Sequence, residues 1–455
     1  MNISRSCFLF LALIAAFQVQ AQKLKTFPND PIGLKHTTLA NGLQVYLVED
    51  HSRPNISGAV AVKAGGKYDP KDATGMGHYL EHMLFKGTQT MGTINYEKEK
   101  PFLKRVDSLY EVLGKTTDED QRKQIQSKIN VNSIAAAEFA VPNELDRLIS
   151  SIGGKGLNAF TGEEMIVYLN SFPSNQIERW LDIYSHRFEA PVFRLFQSEL
   201  ETVYEEKNRA MDGFEYGIIN KFNSSFYKVH PYGQQTIIGE TAHLKNPSLT
   251  KMYEYYNTYY VANNMALILS GDFDAEKILP IIQKKFGDWR TGEIPAYPSY
   301  PEADFEGREH VMGRLTPIKA GMMGFRTCPN GHPDEPALMV ANYLLSNSSE
   351  TGLLQKLTLD DKIMISMMEE LRYNDHGGSM VIFVPKIVGQ SFKKAEALVI
   401  GEIEKIGAGE FDETDLKTAK LNLVLNFQKE LESNTERGRM VLNAFIQERS
   451  WDEYI

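Results

Sequence analysis

The 455-residue sequence has only two cysteines, Cys7 and Cys328. So few thiols exclude a disulfide-stapled scaffold, which leaves apolar packing to hold the fold. Basic excess is also missing: 49 Lys and Arg stand against 59 Asp and Glu, a formal net charge of −10. Phosphate binding normally leaves a basic footprint, so nucleic acid is not an expected partner. Long apolar runs are absent too. The most continuous, Cys7 to Phe17, covers 11 residues, well short of the ~18–20 a membrane span needs. What is present is ordinary globular composition, 42% hydrophobic and 24% charged, at a length that suits two or three domains of roughly 150 residues.

That apolar run follows Arg5 and precedes Val19-Gln20-Ala21. A cationic start, a short apolar stretch and small residues at −3 and −1 read as a secretory signal, residues 1–21, cut after Ala21. The expected location is periplasmic or secreted, with no stable membrane span after cleavage. Cys328 is then the one mature thiol, read as a small buried hydrophobe.

Downstream, Asn41-Gly42 sits between Thr37-Thr38-Leu39 and the alternating stretch from Leu43 to Val48, a hairpin signal because both turn residues tolerate positive φ. Strands are expected near 57–63, 157–160, 165–172 and 265–270, with helices near 75–85, 174–188, 195–212 and 275–286. Pro295, Pro298 and Pro301 then interrupt the pattern among Gly and acidic residues, as in an extended linker. Beyond it a similar order restarts, with strands near 319–327, 363–369 and 379–385 among helices near 335–346, 350–358, 391–406 and 412–432. The expected fold class is α+β, as two duplicated α/β-sandwich domains with antiparallel-rich sheets and helices on one face. The expected boundaries are 22–290 for the first domain, 291–309 for the linker and 310–455 for the second. A charged helical insertion, 95–147, is read as a solvated hairpin on the first domain.

The informative segment is Gly75-Met76-Gly77-His78-Tyr79-Leu80-Glu81-His82-Met83-Leu84-Phe85. On a helix His78 and His82 are four apart and share a face, so two imidazoles can converge on one ion. Glu81 projects beside them. This is H-x-x-E-H, the inverse of H-E-x-x-H. Two imidazoles with a carboxylate suit a single Zn²⁺ that keeps a position open for water, with Glu81 as general base. The flanking Leu80, Met83, Leu84 and Phe85 would bury the helix, and unpartnered buried polar groups cost several kcal/mol. A third ligand is sought in Glu199, Glu201, Glu205 and Glu206, where Glu199 and Glu206 lie two turns apart on one face.

Four ordered blocks resemble the pitrilysin/insulinase family of inverted-motif zinc peptidases, exported bacterial type. They are Gly77 to Thr88, Leu157-Asn158-Ala159-Phe160-Thr161, Glu199 to Glu206, and His230-Pro231-Tyr232-Gly233. The resemblance implies zinc bound by His78, His82 and Glu206, one ion per chain, with Glu81 as general base. It places Glu199 behind the ligands, and Asn158 and Ala159 on a strand edge that pairs with extended peptide. The implied function is a zinc-dependent endopeptidase acting on peptides or unstructured polypeptides. The alternative is a non-catalytic or half-chamber partner subunit that binds peptides and needs a second half for activity. Family members close a chamber from four such domains. In the family the Arg and Tyr that help hold substrate lie in the other half, and no matching pair stands in this sequence, so a second half of a longer chain, or a partner subunit, is expected. The second domain is accordingly expected to be truncated at Ile455.

Overall fold

The computed structural model describes residues 23–316 and 318–455, so the expected signal segment lies outside the described residues. The chain begins with β1 (Leu34–Thr38), β2 (Gln44–Glu49) and β3 (Asn55–Val62), followed by α1 (Met76–Met83). Three helices then run in succession, α2 (Tyr96–Lys115), α3 (Glu119–Ala137) and α4 (Glu144–Ser151). After β4 (Lys155–Thr161) and β5 (Ile166–Pro173) come α5 (Ile177–Arg187), α6 (Phe196–Asp212) and α7 (Phe214–Phe226). Two single-turn helices, α8 (Pro231–Gln234) and α9 (Thr241–Leu244), lead to α10 (Leu249–Tyr259), β6 (Met265–Gly271) and α11 (Ala275–Phe286). Residues 291–309 contain neither helix nor strand. The remainder is β7 (Gly321–Thr327), α12 (Glu335–Leu345), α13 (Leu353–Leu359), β8 (Ile365–Leu371), β9 (Gly377–Val384), α14 (Phe392–Ala408), α15 (Glu413–Glu430), α16 (Asn434–Ile446) and α17 (Trp451–Tyr454).

The architecture is α+β, with antiparallel-rich sheets flanked by helices. The first sheet has the order β1-β2-β6-β3-β5-β4. Only β2 and β6 run parallel. Asn41-Gly42 makes the β1–β2 turn, with Gly42 at φ 88°. Side chains alternate between faces with period two. Val45, Leu47, Leu267 and Leu269 enter the main core beneath the helices. Their neighbours Val48, Ala61, Val167 and Ile268 point the other way. There α16 covers them with Val441, Ala444 and Phe445, so helices lie on both faces of this sheet. This explains why every residue of β6 is buried. The second sheet, β7-β9-β8, is antiparallel and three-stranded, with a small core around Leu354, Leu357, Val381, Phe383 and Val399. Cys328 there is partly buried, short of the full burial expected of it.

The insertion divides in two. α3 is largely exposed, with Val131 at 64% and Ile134 at 59%. By contrast Val106, Tyr110 and Leu113 of α2 join the main core, each buried large side chain contributing roughly 1.5–3 kcal/mol. Tyr110 meets Phe196 edge-on at 5.1 Å, and Phe196 packs on Tyr79 of α1 at 4.8 Å. α2 is therefore part of the support under α1. Its polar sequence hid this because only one face of the helix is apolar.

Candidate metal centre

α1 is short, and tertiary contacts fix both of its ends. Gly75, at φ 81°, stands at its N-terminus, where an added Cβ would lie 2.7 Å from Gly239 Cα. The buried carboxylate of Asp69 accepts from the backbone N–H of Gly75 at 2.7 Å and of Gly77 at 2.8 Å. It thus partners N–H groups that the helix cannot satisfy itself. Burial pushes the Asp69 carboxyl up to about 8, while those backbone bonds pull against the rise. At the other end Arg187 Nε donates to Leu84 O at 3.0 Å. Its guanidinium stacks over Phe85 at 4.4 Å and Tyr168 at 4.5 Å. The following loop is tied down by Arg194, which donates to Lys86 O, Met91 O and Thr88 O and pairs with Glu99 of α2 at 2.9 Å.

With Leu80 and Met83 in the core, the other face of α1 turns His78 and His82 outward, their ring centroids 4.8 Å apart. Tyr79 OH donates to Phe196 O at 2.6 Å, which sets α6 beside α1. α6 carries Glu206 to the two histidines. Glu206 Oε1 lies 3.7 Å from His78 Nε2, and Oε2 lies 3.6 Å from His82 Nε2. One donor atom from each of the three residues lies within 4.8 Å of the others. These gaps are too long for hydrogen bonds. They approach the ~3.3 Å separation that zinc–ligand bonds of ~2.0–2.1 Å give between tetrahedral donors. The donor set therefore fits a zinc-type ion. Burial, with His82 adding to it, pushes His78 down to about 4, which keeps its imidazole neutral at neutral pH. Its buried Nδ1 has no hydrogen-bond partner.

Glu199, two turns before Glu206 on the same face of α6, sits 2.8 Å from His82 Nδ1 and also pairs with Lys86. Burial lowers the His82 pKa, but the Glu199 hydrogen bond and the charges of Glu199, Glu81 and Glu206 together outweigh it and the net shift is upward. Glu201 and Glu205 face solvent. Spacing along α6 puts Glu199 and Glu206 on one row and Glu201 and Glu205 on the next, and the fold turns the first row to the histidines. Glu81 is buried, and its Oε2 accepts from Thr161 Oγ1 at 2.6 Å. Burial raises its pKa, against the pull of that hydrogen bond.

β4 pairs only with β5 and forms the edge of the sheet. Asn158 and Ala159 on this edge line a cavity of about 810 Å³ that also contains His78, Glu81, His82 and Glu206. Sequence reasoning missed Asp69, Arg187 and Arg194. Arg187 and Arg194 act on the end of α1 and the loop after it from elements remote in the chain, Asp69 acts from the loop just before α1, and no local pattern marks them.

Two models of one peptidase family match the chain. "Insulinase (Peptidase family M16)" covers residues 44–100, and "Peptidase M16 inactive domain" covers 248–423. The chain is 22% identical over 421 residues to the zinc protease PqqE of Helicobacter pylori, across 90% of this chain and 83% of that one. It is 23% identical over 317 residues to the human mitochondrial-processing peptidase subunit beta, across 68% of this chain and 54% of the subunit. Among solved structures it resembles the periplasmic protease PqqL from Escherichia coli, with TM-score 0.68 and 15% identity. That match covers 94% of this chain and 44% of PqqL.

Proposed function

Because the chain is homologous to the M16, insulinase-type peptidases and shares their fold, we propose that it is a zinc-dependent endopeptidase acting on peptides or unstructured polypeptides. The observation that carries this reading is the convergence of His78, His82 and Glu206 beside Glu81, on the wall of a cavity bordered by an open strand edge. In it His78, His82 and Glu206 hold one zinc ion. When bound, the ion supplies Lewis acidity that polarises a carbonyl and acidifies water. Glu199 orients His82 through Nδ1 and fixes which ring nitrogen faces the ion. Glu81, aimed by Thr161, accepts the proton from the attacking water and passes it to the leaving amine. Asn158 and Ala159 offer backbone donors and acceptors to an extended peptide, which gives affinity with little sequence demand.

The same reading takes 22–290 as the zinc-bearing domain and 310–455 as the second. It places the mature protein in the periplasm or outside the cell, supported by the signal-like residues 1–21 and by the likeness to a periplasmic protease. It also calls for a second half or a partner subunit, because nearly the whole chain matches only 44% of PqqL and because the chain is similar to a subunit of the mitochondrial-processing peptidase. A partner subunit that binds peptides without cutting them is the competing reading, and the intact His78, Glu81, His82 set argues against it. The deciding experiment measures zinc and peptide cleavage together in the wild type and in Glu81→Gln. Retained zinc with cleavage abolished is the expected result. Undiminished cleavage by the variant would remove Glu81 from the mechanism, and a wild type that binds peptides but never cuts them would favour the partner subunit.

A further inference from the structure

Among the described residues that line the cavity, Tyr373 alone follows the linker, and it stands in the turn 372–376 between β8 and β9. Connections of this kind normally run free over the surface. This one is anchored at almost every residue. Lys67, 5% exposed, gives its ammonium to Glu164 at 2.7 Å and to Asp375 of the turn at 2.9 Å. His230 Nε2 lies 3.1 Å from the same Asp375 oxygen. The backbone N–H of Asn374 donates to both Glu164 oxygens at 3.2 Å, and its side-chain amide donates to Ile446 O at 2.8 Å. His376 Nε2 donates to Tyr300 O of the linker at 2.9 Å.

The receiving side is the His230-Pro231-Tyr232-Gly233 block, to which the proposed mechanism gives no task. Glu302 of the linker fixes it in place. Its carboxylate, 2% exposed, accepts from the backbone N–H groups of Lys228, Val229 and His230 at 3.0, 2.8 and 2.7 Å. Tyr232 donates its hydroxyl to Glu164 and stacks on Tyr373, with ring centroids 4.2 Å apart and planes at 27°. Tyr227 meets the same ring edge-on at 6.1 Å. One face of Tyr373 therefore rests on a buried ring, and the part of the side chain left open borders the cavity. Taking Lys67 and Glu164 out of water is costly, and such a pair adds little net stability over an apolar one. What it does here is geometric: the turn has one seat, and the Tyr373 ring one orientation.

We infer that Tyr373 is a specificity-determining residue whose ring packs on one aromatic side chain of a bound peptide, and that Lys67, His230 and Tyr232 are positioning residues that act through it. Aromatic rings attract one another in offset and edge-on arrangements beyond the area they bury. A ring already stacked and locked by its neighbours loses little freedom when a further ring joins it, so more of that attraction appears as affinity. The inference rests on the peptidase reading above, in which this cavity receives the peptide. It gives the region after the linker a direct part in choosing substrate, where the strand edge reads only backbone.

The test uses a neutral ten-residue peptide, N-acetylated and C-amidated, with one Phe moved through each position, and twins in which Leu replaces Phe. Binding is read by fluorescence anisotropy with the Glu81→Gln protein, and cleavage by separate KM and kcat with the Glu81 protein. Circular dichroism and zinc content check that every variant folds and holds metal alike. At one position Phe should be preferred over Leu by roughly three- to tenfold, through KM and not kcat. Tyr373→Leu should abolish that ratio at this position and leave the others unchanged, while Tyr373→Phe, which restores a ring, should keep it. Asp375→Asn loosens the turn, so it should weaken binding of the Phe peptide when Tyr373 is present and add nothing in the Tyr373→Leu protein. A Phe preference that survives Tyr373→Leu at every position, or one lost as fully in Tyr373→Phe, overturns the ring contact. Equal weakening by Asp375→Asn with and without the Tyr373 ring overturns the positioning roles. If no peptide is cut, the peptidase reading fails, and the binding arm still decides the role of Tyr373.

Discussion

The two sheets of this molecule use similar strand patterns to different ends. The six-stranded sheet is covered on both faces, by the helices of the main core on one and by α16 on the other. The three-stranded sheet has a small core and leaves Phe325, Ile365 and Met367 of its strands 39–47% exposed. A short helix bearing two histidines and a carboxylate needs a rigid base, because ligand positions must hold to within a fraction of an ångström. The first sheet supplies that base. The second region reaches the cavity through one turn, where Tyr373 lines it and Asp375 meets Lys67. The groups proposed to hold zinc thus sit on the larger core, and the thinner region supplies part of the wall.

The largest expected effect separates the two regions directly. His82→Ala should take zinc from about one per chain to near zero and reduce cleavage by several orders of magnitude, with Tyr373→Phe leaving zinc content unchanged. Metal analysis beside a peptide assay reads both, and zinc lost equally from the two variants would erase the distinction. Stability gives the next contrast. Arg194 and Glu99 are 1% and 0% exposed, and Arg194→Ala should cost about 3–5 kcal/mol by stranding the carboxylate. The pair Arg308–Glu396 exposes its arginine by 56%, and Arg308→Ala should cost less than about 1 kcal/mol. Urea midpoints of the two variants that agree would contradict this.

A smaller effect is expected behind the ligands. Glu199→Gln should weaken zinc binding by roughly 10- to 100-fold without removing a ligand, as a competition titration with a chelator would measure. The smallest effect lies at the junction of the two regions. His230, 3.1 Å away, and then Lys67 hold the Asp375 carboxyl well below its ordinary 3.8. A depressed folded-state pKa contributes stability that is present above the ordinary value and is lost as pH falls below it. Asp375→Asn should therefore lower thermal stability at pH 7, with the difference from wild type shrinking as pH drops below about 4. A difference that stays constant from pH 7 to pH 3 would show that Asp375 acts there by packing alone.

Much of the scaffold was legible in the sequence. The Asn41-Gly42 turn, the helix at Ala275–Phe286 and the Pro-rich break follow from local rules, since turn chemistry and hydrophobic period act over a few residues. α7, α10 and α16 were not read. α16 belongs by sequence to the second region yet packs on the first sheet, and no local period says which surface a helix will cover. α2 was read as solvated because its burial depends on Phe196, remote in the chain.

The spacing of His78, Glu81 and His82 was fixed by the sequence itself, because four residues on a helix return nearly to the same face. Sequence also supplied the acidic balance and the strand carrying Asn158 and Ala159. Helical spacing left open which of four glutamates would meet both histidines, and the fold brings Glu206 there, as the resemblance implied. Tertiary structure alone brought Asp69, Arg187 and Arg194 to bear on α1 and its following loop. The physical reason is that ligation and desolvation depend on distances across the fold, and helical or strand periodicity specifies distances only along one element.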